Sequence, residues 1–301
     1  MVTLSGKVAV VTGSGRGLGL AYARSLAAAG AAVVVNDVDA EAAHTAAKEI
    51  VDAGGRASVV VAAVGTAESA QALVDDAVAA FGRLDVMVTN AGVLRDRVLW
   101  KMTDEDFDTV VQVHLRGTFT CARAAVNQMR EQGGGGRIIV AGSPAGQRGN
   151  FGQTNYSAAK AGIAAMVRTW AMELAKAGIT ANAIIPVAAT AMTKTIPAFA
   201  PHVEALEQHG TPLPDSLRKG EGFGTPEDVA GLVVYLASDA SADVTGQCIG
   251  IGGDKLSLWS HPQEISVGYA DGGWSADAIA AAWPVSVGQH PETYGIPAPG
   301  A

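Results

Sequence analysis

The chain has 301 residues, a formal net charge of -8 and two cysteines. The acidic balance argues against an electrostatic nucleic-acid surface, and the widely separated Cys121 and Cys248 form neither a metal-ligand motif nor a disulfide framework. The N-terminal residues do not read as a secretory signal, and no apolar run approaches the roughly 18 residues of a membrane span. We therefore expect a cytoplasmic protein with no metal, no nucleic-acid partner and no membrane partner.

Short β-branched runs alternate with alanine-rich stretches, a pattern typical of βαβ units and a parallel α/β sheet. The predicted strands are residues 8–11, 32–35, 57–61, 84–88, 137–140, 180–185 and 247–251. The predicted helices are residues 18–29, 40–53, 67–81, one or two helices within 103–132, then 156–177 and 226–238. We expect a single domain over residues 1–253.

Two segments depart from this alternation. Residues 187–224 are rich in proline and glycine and are predicted to form an irregular, mobile lid. The tail, residues 254–301, carries Trp259, Trp274 and Trp283 among several prolines. We expect the tail to be an extension that packs on the body or on a neighbouring subunit.

A glycine-rich turn, T-G-S-G-R-G-L-G over residues 12–19, joins the first predicted strand to the first predicted helix. Such a turn lets the backbone approach a pyrophosphate, and the helix N-terminus offers unpaired N–H groups and the positive end of a dipole. We therefore expect a dinucleotide site. Its predicted residues in this turn are Gly13, Arg16, Gly17, Leu18 and Gly19. A turn that serves packing alone is the alternative.

Asp37 follows the second predicted strand, where its carboxylate can accept hydrogen bonds from the adenosine ribose hydroxyls. The same carboxylate would repel a 2′-phosphate, which favours NAD over NADP. Arg16 argues the other way, because a cation could bind that phosphate. A solvated surface charge is the alternative for each residue. NAD is the predicted cofactor, and NADP is less favoured.

Tyr156 and Lys160 lie one helical turn apart and share one helix face. A free tyrosine, with a pKa of about 10, is a poor base at neutral pH, and a nearby ammonium should lower that pKa. Lys160 could also bind a nicotinamide ribose hydroxyl, while Tyr156 serves as general acid or base. Ser143, after the fifth predicted strand, could hydrogen-bond the substrate oxygen. A Y-x-x-x-K pair alone is common by chance; the serine and the glycine turn make this one specific.

Together these segments resemble the short-chain dehydrogenase/reductase family. The resemblance spans residues 5 to about 253 and also rests on Asn90-Ala91-Gly92, Pro186 and Gly246-Gln247. It implies a Rossmann-like, doubly wound, mostly parallel α/β sheet of seven strands with helices on both faces, assembled as a homodimer or homotetramer. It also implies that residues 90–92 support the cofactor loop and that Pro186 begins the loop around the nicotinamide.

Segments 90–97, 113–117 and 149–156 are similar to a closer branch, the (3R)-hydroxyacyl-CoA dehydrogenases of the peroxisomal multifunctional enzyme. This resemblance implies an NAD-dependent oxidoreductase that interconverts a secondary alcohol and a ketone, with 3-hydroxyacyl-CoA as the first candidate substrate. Steroid or aromatic secondary alcohols are an alternative, and a non-catalytic NAD(H)-sensing protein is an alternative of another class.

Basic and apolar residues near the expected ligand edge indicate which chemical groups the substrate could carry. Arginine and lysine side chains near the expected ligand edge could bind the phosphates of coenzyme A, with solvated surface charge as the alternative. These residues are Arg95, Arg97, Lys101 and Arg148. The predicted lid contributes Ile196, Phe199 and Leu206, which is consistent with an apolar substrate.

Three departures from the family pattern concern the site. His114 stands where most members have asparagine, and it could either continue a proton relay or pack in its helix. Ala63 replaces the usual aspartate after the third strand, so Val64 can offer only backbone groups to the adenine. Val187 follows Pro186 in place of glycine, and Thr190 is expected to approach the nicotinamide carboxamide.

Overall fold

The structure, a computed structural model, describes residues 2–190, 193–195 and 199–289. Ile196, predicted as a lid residue, and the tail prolines Pro291, Pro297 and Pro299 lie outside the described residues. The strands are β1 Val8–Thr12, β2 Ala32–Asp37, β3 Arg56–Val61, β4 Val86–Thr89, β5 Gly136–Ala141, β6 Ile179–Pro186, β7 Cys248–Gly252 and β8 Lys255–Trp259.

The helices follow the strands and cover the sheet. They are α1 Gly17–Ala28, α2 Ala40–Asp52, α3 Ala67–Phe81, α4 Asp104–Val110, α5 Gly117–Gln132, α6 Pro144–Arg148, α7 Thr154–Leu174, α8 Ala200–His209, α9 Pro226–Ala237 and α10 Ala276–Ala282. A π-helical turn, Val111–Arg116, joins α4 to α5, and a second one covers Ser216–Glu221.

The strands form one 8-stranded sheet in the order β3-β2-β1-β4-β5-β6-β7-β8. All neighbouring pairs are parallel except β7 and β8. Side chains of α1, α2 and α9 bury one face, and side chains of α3, α5 and α7 bury the other. Because helices cover both faces of the sheet, the sequences of the central strands are continuous apolar runs. The predicted doubly wound, mostly parallel α/β sheet is confirmed.

The sheet has one strand more than the seven expected. Residues 254–301 were predicted to be an extension, yet β8 pairs antiparallel with β7, with Ile251 opposite Leu256. Trp259 packs against the core, whereas Leu256 and Leu258 are exposed. The chain divides into two compact units after Trp259. The alternation of β8 was overlooked because the tail was interpreted by its tryptophan and proline content alone.

The segment 187–224 is also more regular than expected, since it contains α8 and a π-helical turn. Pro201 lies in the first turn of α8, where proline is tolerated, and Gly210 ends the helix in the left-handed region at φ 62°. Phe199 stacks on Phe223 with ring centroids 4.4 Å apart. Leu206 packs against the same small apolar cluster, which buries Phe223.

The second unit begins at Ser260 and contains α10, whose N-cap Ser275 accepts a hydrogen bond from the Ala278 N–H at 3.1 Å. Within the described ranges, no helix is long and apolar enough to cross a membrane. Those same residues include no cluster of His, Cys, Asp and Glu that could bind a metal ion.

Tyr22 generates a prediction about stability. Its side chain in α1 is fully buried, and its hydroxyl has no hydrogen-bond partner among the described residues. An unpaired buried hydroxyl costs about 1–3 kcal/mol. Tyr22→Phe should therefore raise the free energy of unfolding by about 1 kcal/mol in urea denaturation. Tyr235→Phe, at a partly exposed tyrosine, should leave it unchanged. A destabilised Tyr22→Phe protein would contradict the interpretation.

Candidate active site

The loops that follow β1 and β4 meet at the carboxyl edge of the sheet, where the strand order reverses direction. The buried Thr12 hydroxyl accepts hydrogen bonds from the backbone N–H groups of Asn90 at 3.0 Å and Ala91 at 3.1 Å. The Asn90 amide donates to the carbonyls of Thr12 and Gly13, both at 3.1 Å. These four bonds fix the two loops against each other. Thr12 had no role in the sequence prediction, although it begins the glycine turn.

The glycine turn fits a dinucleotide. A Cβ on Gly13 would lie 2.8 Å from the Ala91 Cα, and one on Gly19 would lie 2.0 Å from the Gly13 carbonyl oxygen. Gly17 has φ +55°, and a Cβ there would meet nothing within 4 Å. No side chain caps the N-terminus of α1, so its first N–H groups are available to a pyrophosphate. The turn thus combines close backbone packing with an open N-terminus.

Asp37 lies beside this turn. One carboxylate oxygen accepts from the Gly15 N–H and the other from the Asp39 N–H, each at 3.1 Å. A Cβ on Gly15 would stand 2.8 Å from the Asp37 Oδ2, so the glycine makes room for the carboxylate. Arg16 forms an exposed ion pair with Asp39, a partner that the sequence prediction missed. Two carboxylates and one paired cation therefore lie beside the glycine turn.

Val64 lies in the loop after β3, and hydrogen bonds from the π-helical turn Val111–Arg116 hold this loop in place. The Gly65 carbonyl accepts hydrogen bonds from Gln112 Nε2 at 3.0 Å and Arg116 Nε at 2.9 Å. Val64 also faces Gly117, where a Cβ would lie 2.9 Å from Val64 Cγ2. The structure therefore couples the predicted adenine loop to the helix segment that carries His114.

Ser143, Tyr156 and Lys160 come together because β5 ends at Ala141 and α7 begins at Thr154. All three side chains are buried. The Ser143 hydroxyl also caps the short α6 by accepting from the Ala145 N–H at 3.2 Å. Burial raises the pKa of Tyr156, the hydrogen bond with Ser143 lowers it, and the Asp96 carboxylate raises it. The net pKa lies above the ordinary tyrosine value.

The surroundings of Lys160 oppose its expected effect on the pKa of Tyr156. We expected its ammonium to lower the pKa of Tyr156, but its Nζ donates to the Ala141 carbonyl and lies 5.6 Å from the centre of the Tyr156 ring. Burial lowers the pKa of Lys160 from 10.5 to about 7. The charge that would stabilise a phenolate is thus only partly retained near neutral pH, because desolvation opposes it.

His114 is buried in the π-helical turn, edge-on to Tyr156 with ring centroids 5.1 Å apart. Its Nε2 lies 3.0 Å from the Val93 N–H nitrogen and 2.8 Å from the Val93 carbonyl oxygen. Its Nδ1 has no partner among the described residues. Burial and the Lys160 charge lower its pKa to about 3, against the effect of the Val93 bond. The ring is therefore neutral, and it contacts the ring of Tyr156 in a T-shaped arrangement.

The remaining predicted residues occupy the same edge. Pro186 ends β6, and the Thr190 N–H donates to the Thr193 hydroxyl at 2.8 Å. Among the basic residues, Arg97 pairs with Asp106 at 2.8 Å, so its charge is already engaged. Arg95, Lys101 and Arg148 are exposed.

Asn155 is a buried residue that the sequence prediction missed, although it lies in a segment on which the resemblance rests. Its Nδ2 donates to the carbonyls of Arg95 and Asp106, both at 3.0 Å, and its Oδ1 accepts from the Tyr156 N–H at 2.7 Å. The amide therefore joins the loop after β4, helix α4 and the first turn of α7.

The buried lysine predicts a pH-dependent stability penalty. Below about pH 7 the folded protein carries a desolvated ammonium, and the penalty disappears as pH rises toward 10.5. Lys160→Met should therefore raise the free energy of unfolding by about 1–4 kcal/mol near pH 6 and by much less near pH 9.5. Urea denaturation at the two pH values measures this. The exposed Lys176→Met is the control, and an equal gain at both pH values would contradict the prediction.

Comparison with known proteins agrees with this geometry. A family model described as enoyl-(acyl carrier protein) reductase matches residues 13–253. The hydroxyacyl-CoA dehydrogenase ChsB1 of Mycobacterium tuberculosis is 42% identical over 291 residues, covering 92% of this chain and 87% of that protein. Peroxisomal multifunctional enzyme type 2 of Mus musculus is 40% identical over 250 residues, covering 80% of this chain and 31% of that protein.

A solved structure is similar over nearly the whole length. The crystal structure of a short chain dehydrogenase from Mycobacterium avium matches with a TM-score of 0.80 and 34% sequence identity, covering 96% of this chain and 97% of that chain. The predicted family resemblance is confirmed by these matches. The chain belongs to the short-chain dehydrogenase/reductase family and is an oxidoreductase that acts on hydroxyl or keto groups.

Proposed function

We propose that the protein is an NAD-dependent dehydrogenase that interconverts a 3-hydroxyacyl-CoA and the corresponding 3-ketoacyl-CoA. The observation that carries the proposal is the buried group of Ser143, Tyr156 and Lys160 at the same sheet edge as the glycine turn. The name of the relative ChsB1, a hydroxyacyl-CoA dehydrogenase, supports the substrate class. The exposed Arg95, Lys101 and Arg148 are proposed contacts for the coenzyme A phosphates.

Bound at this edge, NAD would supply the hydride acceptor for alcohol oxidation, and NADH the donor for ketone reduction. In the proposal, the N–H groups at the start of α1 bind the pyrophosphate, and Asp37 binds the adenosine ribose. Loop residues 90–92 and the backbone of Val64 line the cofactor. Pro186 and Thr190 adjoin its nicotinamide end.

The proton is assigned to the Tyr156 hydroxyl. In reduction, Tyr156 donates it to the developing alkoxide, and in oxidation Tyr156 accepts it from the alcohol. The raised pKa of Tyr156 favours the donor role at neutral pH, so oxidation should accelerate as pH rises. Ser143 donates a hydrogen bond to the substrate oxygen and stabilises its charge. When Lys160 is protonated, its charge offsets part of the desolvation penalty of the Tyr156 phenolate. The ring of His114 packs against the ring of Tyr156 in a T-shaped contact.

Steroid or aromatic secondary alcohols remain a second candidate because of apolar side chains near this edge. Leu99, Trp100 and Phe151 are exposed on the loops after β4 and β5. These loops touch, since the Arg97 N–H donates to the Gly152 carbonyl at 2.8 Å. Large apolar side chains exposed together are typical of binding surfaces. A ring system could therefore replace the acyl chain without any change in the acid/base groups.

NAD is proposed over NADP because Asp37 and Asp39 place two carboxylates near the expected ribose, while Arg16 is paired with Asp39. We further propose a homodimer or homotetramer, as the family resemblance implies. The cytoplasm is the proposed compartment, since Cys121 and Cys248 are both buried free thiols.

Tyr156→Phe tests the catalytic proposal. Removing the hydroxyl removes the proton donor, so turnover of a 3-hydroxyacyl-CoA should fall by about 10²–10⁴-fold, while the dissociation constant of NADH stays unchanged. Initial rates of NAD reduction and fluorescence titration with NADH measure the two. The exposed Tyr269→Phe is the control. Retained turnover would overturn the assignment of Tyr156.

Asp37→Asn tests the choice of cofactor. The amide keeps one oxygen for hydrogen bonding and removes the charge that repels a 2′-phosphate. The ratio of kcat/KM for NAD to that for NADP should fall at least about tenfold, which corresponds to about 1.4 kcal/mol. Asp52→Asn, at the other end of α2, should leave the ratio unchanged. Wild-type protein that prefers NADP would contradict the proposed cofactor.

A further inference from the structure

The carboxamide of Asn155 is fully buried and hydrogen-bonds to three separate segments of the chain. Its Nδ2 donates to the carbonyls of Arg95, in the loop after β4, and Asp106, in α4, both at 3.0 Å. Its Oδ1 accepts from the Tyr156 N–H at 2.7 Å. Because both donor hydrogens and the oxygen are engaged away from water, the amide has one defined orientation.

The first turn of α7 depends on this amide. The first N–H groups of a helix have no partner within the helix, and an N-cap side chain commonly accepts from one of them. The N-cap residue of α7, Gln153, makes no such side-chain bond. Asn155 Oδ1 satisfies the N–H of Tyr156 instead. The side chain therefore contacts the backbone of the proposed acid/base residue directly.

The two segments that the amide ties to α7 also pack around Tyr156. Val110, in α4, and Leu94, in the loop after β4, belong to the small apolar cluster that includes the Tyr156 side chain. Val110 lies one helical turn after Asp106, and Leu94 directly precedes Arg95. The amide thus fixes the start of α7 relative to two walls of the tyrosine pocket.

The ion pair of the same region is a weaker tie. Arg97 pairs with Asp106 at 2.8 Å, but the Arg97 side chain is 55% exposed. Water screens such a pair, so it contributes little to the alignment of the loop and α4. Hydrogen bonds of a fully buried amide are costly to leave unmade. Asn155 therefore holds these segments together more firmly than the exposed pair does.

We propose that Asn155 is a positioning residue that keeps the Tyr156 hydroxyl aligned with Ser143 and with the substrate oxygen. This inference rests on the proposed function of the same site. Asn155 touches none of the reacting atoms, and it acts through the first turn of α7 and the two walls of the pocket. A displacement of about 1 Å at a catalytic group can cost about 10²-fold in rate. Loss of the amide should therefore slow turnover while every acid/base group remains in place.

Two variants of Asn155 test the proposal. Asn155→Ala removes all the bonds of the amide, and Asn155→Asp removes the two donated bonds while it keeps an acceptor for the Tyr156 N–H. In both, kcat for oxidation of a 3-hydroxyacyl-CoA should fall about 10–100-fold, and the dissociation constant of NADH should stay unchanged. A weaker hydrogen bond between Tyr156 and Ser143 raises the pKa of the tyrosine. The rise of kcat with pH should therefore move to higher pH.

A matched buried asparagine separates positioning from a loss of stability. Asn182, in β6, donates from Nδ2 to the Val244 carbonyl at 2.7 Å and accepts from the Gln247 N–H at 3.1 Å. Asn182→Ala should lower the free energy of unfolding about as much as Asn155→Ala does, yet leave kcat and its pH dependence unchanged. An equal fall of kcat in both variants would overturn the positioning role.

A crystal structure of the Asn155→Ala protein provides a measurement that needs no substrate. The Tyr156 hydroxyl should lie about 1 Å further from the Ser143 hydroxyl than in the wild-type protein. An unmoved Tyr156, or an unchanged kcat in the folded variants, would overturn the role of Asn155 alone. A wild-type protein that does not oxidise the thioester overturns the proposed function instead, and the two crystal structures still decide whether Asn155 positions Tyr156.

Discussion

The contact between the loops of β1 and β4 is the constraint on which the candidate site depends. Gly13 approaches Ala91 so closely that a Cβ would lie 2.8 Å from the Ala91 Cα. Thr12 and Asn90 satisfy the backbone groups that this approach would otherwise leave unpaired. With the two loops fixed, the N-terminus of α1 stays open, and the loops after β5 and β6 adjoin the same edge. The fold thereby brings the uncapped N-terminus of α1 and the side chain of Tyr156 to one edge of the sheet, where we propose an anion site next to an acid/base group.

Within the proposed acid/base group, Lys160 opposes stability near neutral pH, because folding desolvates its ammonium. Burial of Lys160 and Tyr156 disfavours the charged form of each side chain, so the pKa of the lysine falls and that of the tyrosine rises. The surrounding core of β5, β6 and α7 is apolar and buried, and the burial of this apolar surface offsets the cost. The same low-dielectric surroundings strengthen electrostatic interactions with a substrate oxygen.

The sequence predicted the central sheet because buried parallel strands read as continuous apolar runs, and the glycine turn because its conformation demands glycine. Ser143, Tyr156 and Lys160 were predicted from their spacing, and in the structure Tyr156 hydrogen-bonds with Ser143 and lies 5.6 Å, measured from its ring centre, from Lys160 Nζ. Strand β8 was missed because we interpreted the tail by its tryptophan and proline content and overlooked the alternation of polar and apolar residues in this strand. The contacts of Asp39, Gln112 and Asn155 were missed because they depend on which loops meet in three dimensions. The pKa of Tyr156 was predicted in the wrong direction, since burial is not visible in a sequence.

A crystal structure of the protein with NAD tests the central claim most directly. The account predicts the pyrophosphate against the N–H groups at the start of α1, the adenosine ribose on Asp37 and the nicotinamide next to the Tyr156 hydroxyl. It also predicts that Lys160 Nζ hydrogen-bonds a ribose hydroxyl of the nicotinamide half. A dinucleotide bound away from the β1 and β4 loops, or with its nicotinamide remote from Tyr156, would contradict the account.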